Sequence, residues 1–329
     1  MSAVTLSNAK VFECKTDQTV LDAAHENGLA LEYSCRTGRC GVCKVKVVSG
    51  DTTVLKNEIC LSNEELANNF VLTCCRSAVT DIEIDAEDLG ELALIQPKIS
   101  PCRIDSLQLL NNDVLEVVLR TPPSLSLNYL PGQYIDILGK NGVRRSYSIA
   151  NAPRDDGNII LHIRKVENGV MSRLWFEEAQ VNDLLRFEGP LGTFSLRAAK
   201  VSHLIFMATG TGIAPIKAIL EQLDSNPNSI VNAAISLYWG GRKPEDIYWT
   251  PDFANLDIQF IPVLSRSDDL WKGRKGYVQQ AVLEDQVNLS NAAIYACGSD
   301  TMINAAHKAL AGAGLAEKSF HSDAFVSAN

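Results

Sequence analysis

The sequence predicts three domains of different fold class: a small mixed α+β domain, a closed antiparallel β-barrel and a doubly wound parallel α/β domain. Before residue 88, short alternating stretches such as KVKVVSG indicate strands, and TVLDAAHENG indicates a helix. Between residues 102 and 197, strand-like pieces separated by Gly, Pro and Asn turns favour a barrel. From residue 201, apolar strands alternate with helices, which predicts a parallel sheet.

The predicted domain ranges are 1–90, 98–197 and 198–329. The first two are joined by a stretch around residues 88–101 that contains two prolines, a composition typical of a linker. A chain of 329 residues with 46% hydrophobic and 21% charged residues is long enough for two or three separate hydrophobic cores.

Composition also limits the location and the partners. The sequence contains neither a signal-peptide pattern nor eighteen consecutive apolar residues, so we expect no secretion and no membrane insertion. Nine cysteines, an odd number, indicate reduced thiols in the cytoplasm rather than a disulfide framework. A net charge of −9 without a basic tract disfavours nucleic acid as a partner. Small molecules or other proteins are the expected partners.

A cysteine cluster is the strongest motif. The spacing C-x4-C-x2-C, followed after thirty intervening residues by a fourth cysteine, is that of plant-type [2Fe-2S] clusters, whereas structural zinc sites usually have pairs of C-x2-C. The predicted ligands are Cys35, Cys40, Cys43 and Cys74. Glycines at 38 and 41 let the loop bend so that its N–H groups face the sulfurs, and the basic residues Arg36 and Arg39 offset negative charge.

The neighbouring Cys75 is the alternative fourth ligand. Cys74 is preferred because plant-type ferredoxins carry their last ligand in an LTC string. The remaining Cys14, Cys60 and Cys102 are interpreted as buried small hydrophobic residues without a metal role.

The stretch RRSYSIA in the second domain indicates a flavin site. A flavin has anionic phosphates and a flat apolar ring, and Arg145, Tyr147 and Ser148 offer a cation, an aromatic plane and a polar group on one strand. A solvated strand with an exposed tyrosine is the alternative interpretation.

Further along, Gly169, Met171 and Ser172 stand at the amino end of a helical stretch, which suits a diphosphate and favours FAD over FMN. GPLGTF, residues 189–194, adds a glycine-rich turn.

The stretch MATGTGIAPIKAIL indicates a nucleotide site. It follows an apolar strand and opens a helix; Gly210 and Gly212 permit close approach to a ligand, and Pro215 suits the first helical turn. The pattern is G-x-G-x-x-P and therefore not that of a Rossmann dehydrogenase. A tight strand-to-helix turn without a ligand is the alternative.

Two further stretches of the third domain are candidates for the same crevice. YACGSDTM places Cys297 and Gly298 at the carboxyl end of another strand, although an inert core thiol is an equal alternative. Phe325, close to the chain end, is either a surface residue or a ring stacked on a cofactor.

The choice of nucleotide depends on LSRSDD. Ser265 and Arg266 suit a 2′-phosphate, but the two aspartates that follow repel one, so NADH is favoured and NADPH stays possible.

The five histidines are scattered along the chain, and a structural role is expected for each.

In their order along the chain, these motifs resemble the ferredoxin-NADP reductase superfamily with a plant-type ferredoxin (β-grasp) domain at the amino terminus. Strings such as LEYSCRTGRCGVCK, RSYSIAN, YACGS and SDAF are similar to those of the CDP-6-deoxy-glucoseen reductases, also called CDP-4-dehydro-6-deoxyglucose reductases, which serve 3,6-dideoxyhexose synthesis. The resemblance implies electron flow from NADH through FAD and the cluster to a pyridoxamine-phosphate-dependent dehydrase that holds the CDP-sugar. Reductase components of aromatic-ring oxygenases share these modules and are the alternative.

The resemblance also implies roles for individual residues. The isoalloxazine and phosphate end of the flavin would be held by Arg145, Tyr147, Ser148 and Ile149, and its diphosphate by Gly169, Met171 and Ser172. The nicotinamide nucleotide would be cradled by Gly210, Thr211, Gly212 and Pro215. Cys297 would lie beside the nicotinamide ring and Phe325 near the flavin, which makes these two and Ser148 the candidate catalytic residues. A cluster-bearing sensor with a degenerate nucleotide domain is a further alternative, and the intact glycine turns disfavour it.

Overall fold

The structure, a computed structural model, consists of two compact units. It describes residues 1–329 except 91, 93, 94, 126, 198–200, 228–232 and 327–329. Met1–Gln96 and Gly192–Phe194 make up most of the first unit, and Pro97–Leu191 with Ser195–Phe325 make up the second. In the part of the chain that is described, none of the helices has the length and apolar character needed to cross a membrane.

Strands outnumber helices throughout. The strands of the first unit are β1 (Ser2–Leu6), β2 (Val11–Cys14), β3 (Lys44–Ser49), β4 (Thr52–Val54), β5 (Phe70–Leu72), β6 (Arg76–Ala78) and β7 (Ile82–Ile84). The barrel strands are β8 (Lys98–Leu109), β9 (Val114–Arg120), β10 (Tyr134–Leu138), β11 (Arg144–Ser148), β12 (Ile159–Arg164) and β13 (Leu184–Leu191). The last sheet contains β14 (His203–Thr209), β15 (Ala234–Gly241), β16 (Ile258–Leu264), β17 (Arg274–Lys275), β18 (Ala292–Ser299) and β19 (Phe320–Phe325). The α-helices are α1 (Val20–Glu26), α2 (Asn63–Ala67), α3 (Val170–Arg173), α4 (Ile213–Ser225), α5 (Val278–Glu284) and α6 (Asp300–Gly312).

The first unit has the predicted mixed α+β fold. Its five-stranded sheet has the order β2-β1-β7-β3-β5, with β1 parallel to β7, and β4 pairs separately with β6. Helix α1 begins after Thr19, whose hydroxyl accepts from the N–H of Asp22, and it buries Val20, Leu21, Ala23 and Ala24. These side chains join the core of the unit together with residues of the central strands, such as Val4 and Ile84.

The barrel is antiparallel throughout, with the order β11-β10-β13-β8-β9-β12. An isolated bridge between Ile149 and Leu161 joins the two outer strands and closes the sheet. Inward-facing side chains such as Ile104, Val117 and Ile137 are fully buried in its interior. The closed barrel predicted from the turn pattern is confirmed.

The last sheet is parallel, with the order β17-β16-β15-β14-β18-β19. From β14 the chain moves outward to β15 and β16, and it later returns to place β18 on the other side of β14. This reversal creates a crevice beyond the carboxyl ends of β14 and β18, where ligands of doubly wound sheets bind. The predicted α/β fold is confirmed.

Candidate functional site

The four predicted cluster cysteines lie together in the first unit. Strand β3 directly follows the cysteine loop and pairs with β5, with Lys44 opposite Leu72. This register brings Cys43 next to Cys74, and the Cys43 thiol donates to the Cys74 sulfur at 3.2 Å. The pairing of two strands therefore explains how one loop and a segment thirty residues away meet.

The four sulfurs form two pairs. The hydrogen bond from Cys40 lowers the pKa of the Cys35 thiol to about 4, and the hydrogen bond from Cys43 lowers the pKa of Cys74 to about 7. Among the described residues, no three His, Cys, Asp or Glu side chains converge as ligands of a single metal ion. In each pair the other thiol keeps the shared proton, so the hydrogen bonds raise the pKa of Cys40 and of Cys43. Two close pairs of sulfurs fit a two-iron cluster with four cysteine ligands.

The bend of the cysteine loop requires glycine. Gly38 and Gly41 have φ angles of 74° and 76°, and a Cβ on Gly38 would lie 2.1 Å from the carbonyl oxygen of Asn57. On either side of Gly38, the N–H groups of Thr37 and Arg39 donate to the Cys35 sulfur, the first at 3.4 Å. The bend at Gly38 thus lets backbone N–H groups of the loop face a sulfur, as the sequence predicts.

Two more thiols lie beside this loop. The Cys75 sulfur is 3.6 Å from that of Cys74 and also 3.6 Å from the Asn57 carbonyl oxygen, to which it donates. Cys60 was expected to be a buried hydrophobic residue like Cys14 and Cys102, and this expectation is wrong. Cys60 is only half-buried, because it stands at the loop, where its N–H donates to the Gly38 carbonyl.

The basic residue Arg36 is partly engaged elsewhere. Its guanidinium forms an ion pair with Asp22 and lies 5.5 Å from the ring centre of Tyr33. The positive charge of Arg36 is therefore shared between the cluster loop and the Asp22 carboxylate of α1.

The flavin candidates lie on β11, at the edge of the barrel strand order. Arg145 and Tyr147 share a half-buried face, as the alternation predicts, and Ser148 is buried. The Tyr147 hydroxyl accepts from Trp175 Nε1 at 3.0 Å, the two rings meet edge to face, and burial raises the pKa of the tyrosine to about 12. The Arg145 guanidinium donates to the neighbouring carbonyl of Arg144.

The other flavin candidates make local contacts. Ile149 buries its side chain in the barrel core and donates its N–H to the Gln133 carbonyl. Gly169 precedes the single turn α3, in which Met171 and Ser172 are buried, and the Ser172 hydroxyl accepts from the N–H of Val166 at 2.8 Å.

The nucleotide candidates meet at the crevice of the parallel sheet. A Cβ on Gly212 would lie 2.2 Å from the carbonyl oxygen of Cys297, so the turn after β14 touches the end of β18. Thr209 joins the same two strand ends, because its hydroxyl accepts from the N–H of Ser299 at 3.2 Å. Gly298, with a φ of 145°, leaves room for that hydroxyl. Thr211 lies in the short 3-10 turn before α4, whose first turn buries Pro215.

Sequence reasoning missed two residues near this crevice. Arg164, at the end of β12, pairs with Asp113, and its guanidinium would lie 2.8 Å from a Cβ on Gly210. Asp323 is buried opposite Cys297 in the β18–β19 ladder, and the Cys297 thiol donates to its carboxylate at 4.0 Å. Burial raises the pKa of Cys297, so this thiol stays protonated. Arg164 belongs to none of the motifs quoted above, and Asp323 lies in the SDAF string without any sign of its neighbour Cys297. Barrel geometry and strand pairing bring the two residues to the crevice.

Phe325 and the LSRSDD stretch lie at strand ends as well. Phe325 ends β19 opposite Ser299 and is 38% exposed. The backbone N–H groups of Ser265 and Arg266 donate to the carbonyls of Gly241 and Arg242, so the ends of β15 and β16 bring two arginines side by side.

Comparison with protein-family models identifies three modules. Residues 4–80 match the 2Fe-2S iron-sulfur cluster binding domain, residues 101–196 match the Oxidoreductase FAD-binding domain, and residues 206–308 match the Oxidoreductase NAD-binding domain. The chain is therefore an NAD(P)H-dependent oxidoreductase with a [2Fe-2S] cluster, FAD and a nicotinamide nucleotide as cofactors.

Curated relatives narrow the family. The chain is 44% identical over 322 residues to the CDP-6-deoxy-L-threo-D-glycero-4-hexulose-3-dehydrase reductase of Yersinia pestis, covering 96% of this chain and 95% of the relative. The chain belongs to the CDP-6-deoxy-glucoseen reductase family. It is also 32% identical to reductase component 2 of the terephthalate 1,2-dioxygenase of a Comamonas species, with 96% and 94% covered.

The family assignment agrees with the fold. A solved ferredoxin reductase in carbazole 1,9a-dioxygenase matches with a TM-score of 0.69 and 27% identity, covering 99% of this chain and 98% of that one. This chain and that ferredoxin reductase thus share their fold over nearly the whole length of both chains.

Proposed function

We propose that this protein passes electrons from NADH through FAD and the [2Fe-2S] cluster to a pyridoxamine-phosphate-dependent dehydrase that holds a CDP-4-keto-6-deoxyglucose intermediate. The observation that carries the proposal is the 44% identity to a dehydrase reductase along 96% of this chain. The sugar would then be bound by the partner protein, and this chain would serve as its source of electrons. In keeping with nine free cysteines, the proposed location is the cytoplasm.

The chemistry explains why one chain carries three modules. A nicotinamide gives up two electrons together and a [2Fe-2S] cluster carries one at a time, so a flavin between them serves as the converter. We assign the modules to residues 1–90, 98–197 and 198–329. In the first, Cys35, Cys40, Cys43 and Cys74 hold the cluster, and their arrangement in two sulfur pairs supports this assignment.

The flavin is assigned to β11 and the turn at α3. Arg145 binds phosphate, Tyr147 offers its ring, and Ser148 lies at the reacting end of the flavin together with Phe325. The fixed orientation of Tyr147 by Trp175 supports the assignment, since a ring held on one edge presents a constant face. Gly169, Met171 and Ser172 take the diphosphate, and Ile149 supports the strand from the barrel core.

The nucleotide is assigned to the crevice between β14 and β18. Gly210, Thr211, Gly212 and Pro215 form the turn, and Cys297 and Gly298 form the opposite wall. The close contact between Gly212 and the Cys297 carbonyl supports a common site. The position of Cys297 at the carboxyl end of β18, directly against the turn, supports its assignment beside the nicotinamide ring.

We propose NADH as the physiological donor. Ser265 and Arg266 directly follow β16, at the carboxyl end of the sheet, but Asp268 and Asp269 come shortly after, and Asp269 forms an ion pair with Lys275 at 3.7 Å. A 2′-phosphate would therefore meet two carboxylates as well as the arginine.

The decisive experiment couples the purified protein to a candidate acceptor. Loaded with its cofactors and NADH, the protein should lose its visible absorbance, and adding the dehydrase with its CDP-sugar should restore that absorbance and yield the deoxygenated sugar. Transfer to an aromatic-ring oxygenase with product formation, and none to the dehydrase, would favour the alternative that the 32% identity to the terephthalate system supports.

A further inference from the structure

Helix α4 connects the nucleotide turn to the flavin strand. Its first residue, Ile213, directly follows the Gly210–Gly212 turn. One turn along the helix, Lys217 Nζ donates to the carbonyl of Ala150 at 3.0 Å. A further turn along, the Glu221 carboxylate accepts from the N–H of Ala152 at 2.9 Å. Both alanines lie just beyond Ser148, the last residue of β11.

The two side chains form one clamp. Lys217 and Glu221 are joined by an i,i+4 ion pair, and their side chains are only 13% and 30% exposed. Each uses a second bond to hold the backbone of the barrel, so that the pair satisfies a carbonyl and an N–H of a largely buried segment. A solvent-exposed ion pair contributes little to stability, but a half-buried pair with fixed backbone partners holds its geometry.

The clamped segment is itself rigid. Asn151, between the two alanines, is fully buried. Its side-chain Nδ2 donates to the carbonyl of Asn158, and its side-chain Oδ1 accepts from the N–H of Ile160. The N–H of Ala150 also donates to the Ile160 carbonyl at 2.8 Å. Because the segment is tied to β12 in this way, a shift of α4 relative to it would move the nucleotide turn relative to Ser148.

We infer that Lys217 and Glu221 are positioning residues that set the separation between the nucleotide turn and the flavin end of β11. The inference rests on the proposed function, in which NADH reduces the flavin. Their backbone hydrogen bonds go to Ala150 and Ala152, so their effect is exerted through the backbone of residues 150–152 and through α4. Transfer between two bound rings depends steeply on their separation, which makes the clamp a determinant of the transfer rate and not of nucleotide affinity.

Three variants separate this role from simple stabilisation of the helix. Lys217→Met and Glu221→Met each remove one backbone bond and the ion pair while keeping side-chain bulk. The exchange Lys217→Glu with Glu221→Lys keeps an i,i+4 pair in the orientation that favours a helix, but it removes both backbone bonds. Gln222→Met, on the exposed side of α4, is the control.

The readout is stopped-flow reduction of the flavin by NADH in the cofactor-loaded, full-length protein. We expect each of the three variants to lower the limiting rate about tenfold, while the NADH concentration at half-maximal rate, the later transfer to the cluster and the FAD content stay as in the wild type. Gln222→Met should react like the wild type.

The other outcomes overturn the inference. Unchanged limiting rates, or a rate restored by the charge exchange, would leave the pair with a role in the helix alone. Loss of FAD or a lower unfolding temperature in the variants would assign the pair to barrel stability instead. A wild type that NADH does not reduce would contradict the proposed function. A wild type and variants that NADH reduces at the same rate would contradict only the inference about Lys217 and Glu221.

Discussion

At the scale of single residues, the fourth cluster ligand has two adjacent candidates. The Cys74 sulfur receives a hydrogen bond from Cys43 at 3.2 Å, whereas the Cys75 thiol donates to the Asn57 carbonyl behind the loop. We therefore expect Cys74→Ser to lose most of the bound iron and sulfide, and Cys75→Ser to retain them. Iron and sulfide analysis with visible absorption of the two purified variants measures this difference. Retention in Cys74→Ser combined with loss in Cys75→Ser would reverse the assignment.

FAD binding by Arg145 offers a second test, because the neighbouring Arg144 is a matched control. Arg145 lies on the half-buried face of β11, and Arg144 is exposed and paired with Glu188. Removing a charge-assisted bond to phosphate with Arg145→Ala should weaken FAD binding by roughly 1.5–3 kcal/mol. Arg144→Ala should leave binding unchanged. Fluorescence titration of the apoprotein with FAD gives both constants, and equal losses would argue against a phosphate contact for Arg145. Tighter binding of FMN than of FAD would overturn the choice of flavin.

At the scale of elements, the contact between the β14 turn and β18 leaves no space for a side chain. An added Cβ on Gly212 would lie 2.2 Å from the Cys297 carbonyl oxygen and would force the two strand ends apart. Gly212→Ala should therefore weaken NADH binding at least about tenfold, as misplacement of a binding element does. Gly312→Ala, near the end of α6, meets no atom within 4 Å and serves as the control. Equal nucleotide affinity in both variants, measured by titration, would show that the turn does not bind the nucleotide.

The sequence predicts those elements whose signal is local. The three cysteines of the loop, the alternation in β11 and the glycines of the β14 turn each lie within about ten residues, so their chemistry is readable without the fold. Arg164 and Asp323 reach the crevice only through the closure of the barrel and the pairing of β18 with β19. Cys60 was misjudged for the same reason: residue type predicts burial, but the fold places it at the cysteine loop.

At the scale of the whole molecule, acid should weaken the second unit. Burial, aided by the charge of Arg197, lowers the pKa of His321 to about 4, and its ring stacks on Tyr295. In the unfolded chain this histidine has an ordinary, higher pKa, so the unfolded state binds more protons below neutrality. Above about pH 6.5 the neutral histidine leaves the free energy of unfolding at its full value. As the pH falls towards 4, the free energy of unfolding decreases by up to about 3 kcal/mol.

The variant His321→Gln isolates this contribution. Glutamine does not titrate, so the unfolding temperature of the variant should fall less steeply between neutral pH and pH 4.5 than that of the wild type. His25→Gln, which replaces an exposed side chain of α1, is the control. Parallel pH profiles of the wild type and His321→Gln by calorimetry would contradict the assignment of the acid sensitivity to this histidine.

The order of electron transfer is the prediction that involves every module. If the cluster is the only outlet to a protein partner, Cys35→Ala should abolish electron delivery to the dehydrase. Because the flavin reduces small dyes directly, the same variant should keep NADH-driven reduction of ferricyanide within about twofold of the wild type. Cys297→Ala should have the opposite effect, since it alters the nucleotide crevice and slows flavin reduction for every acceptor alike. Stopped-flow absorbance of both variants separates the two steps, and a Cys35→Ala protein without its cluster that still served the dehydrase at full rate would show that electrons leave by another route.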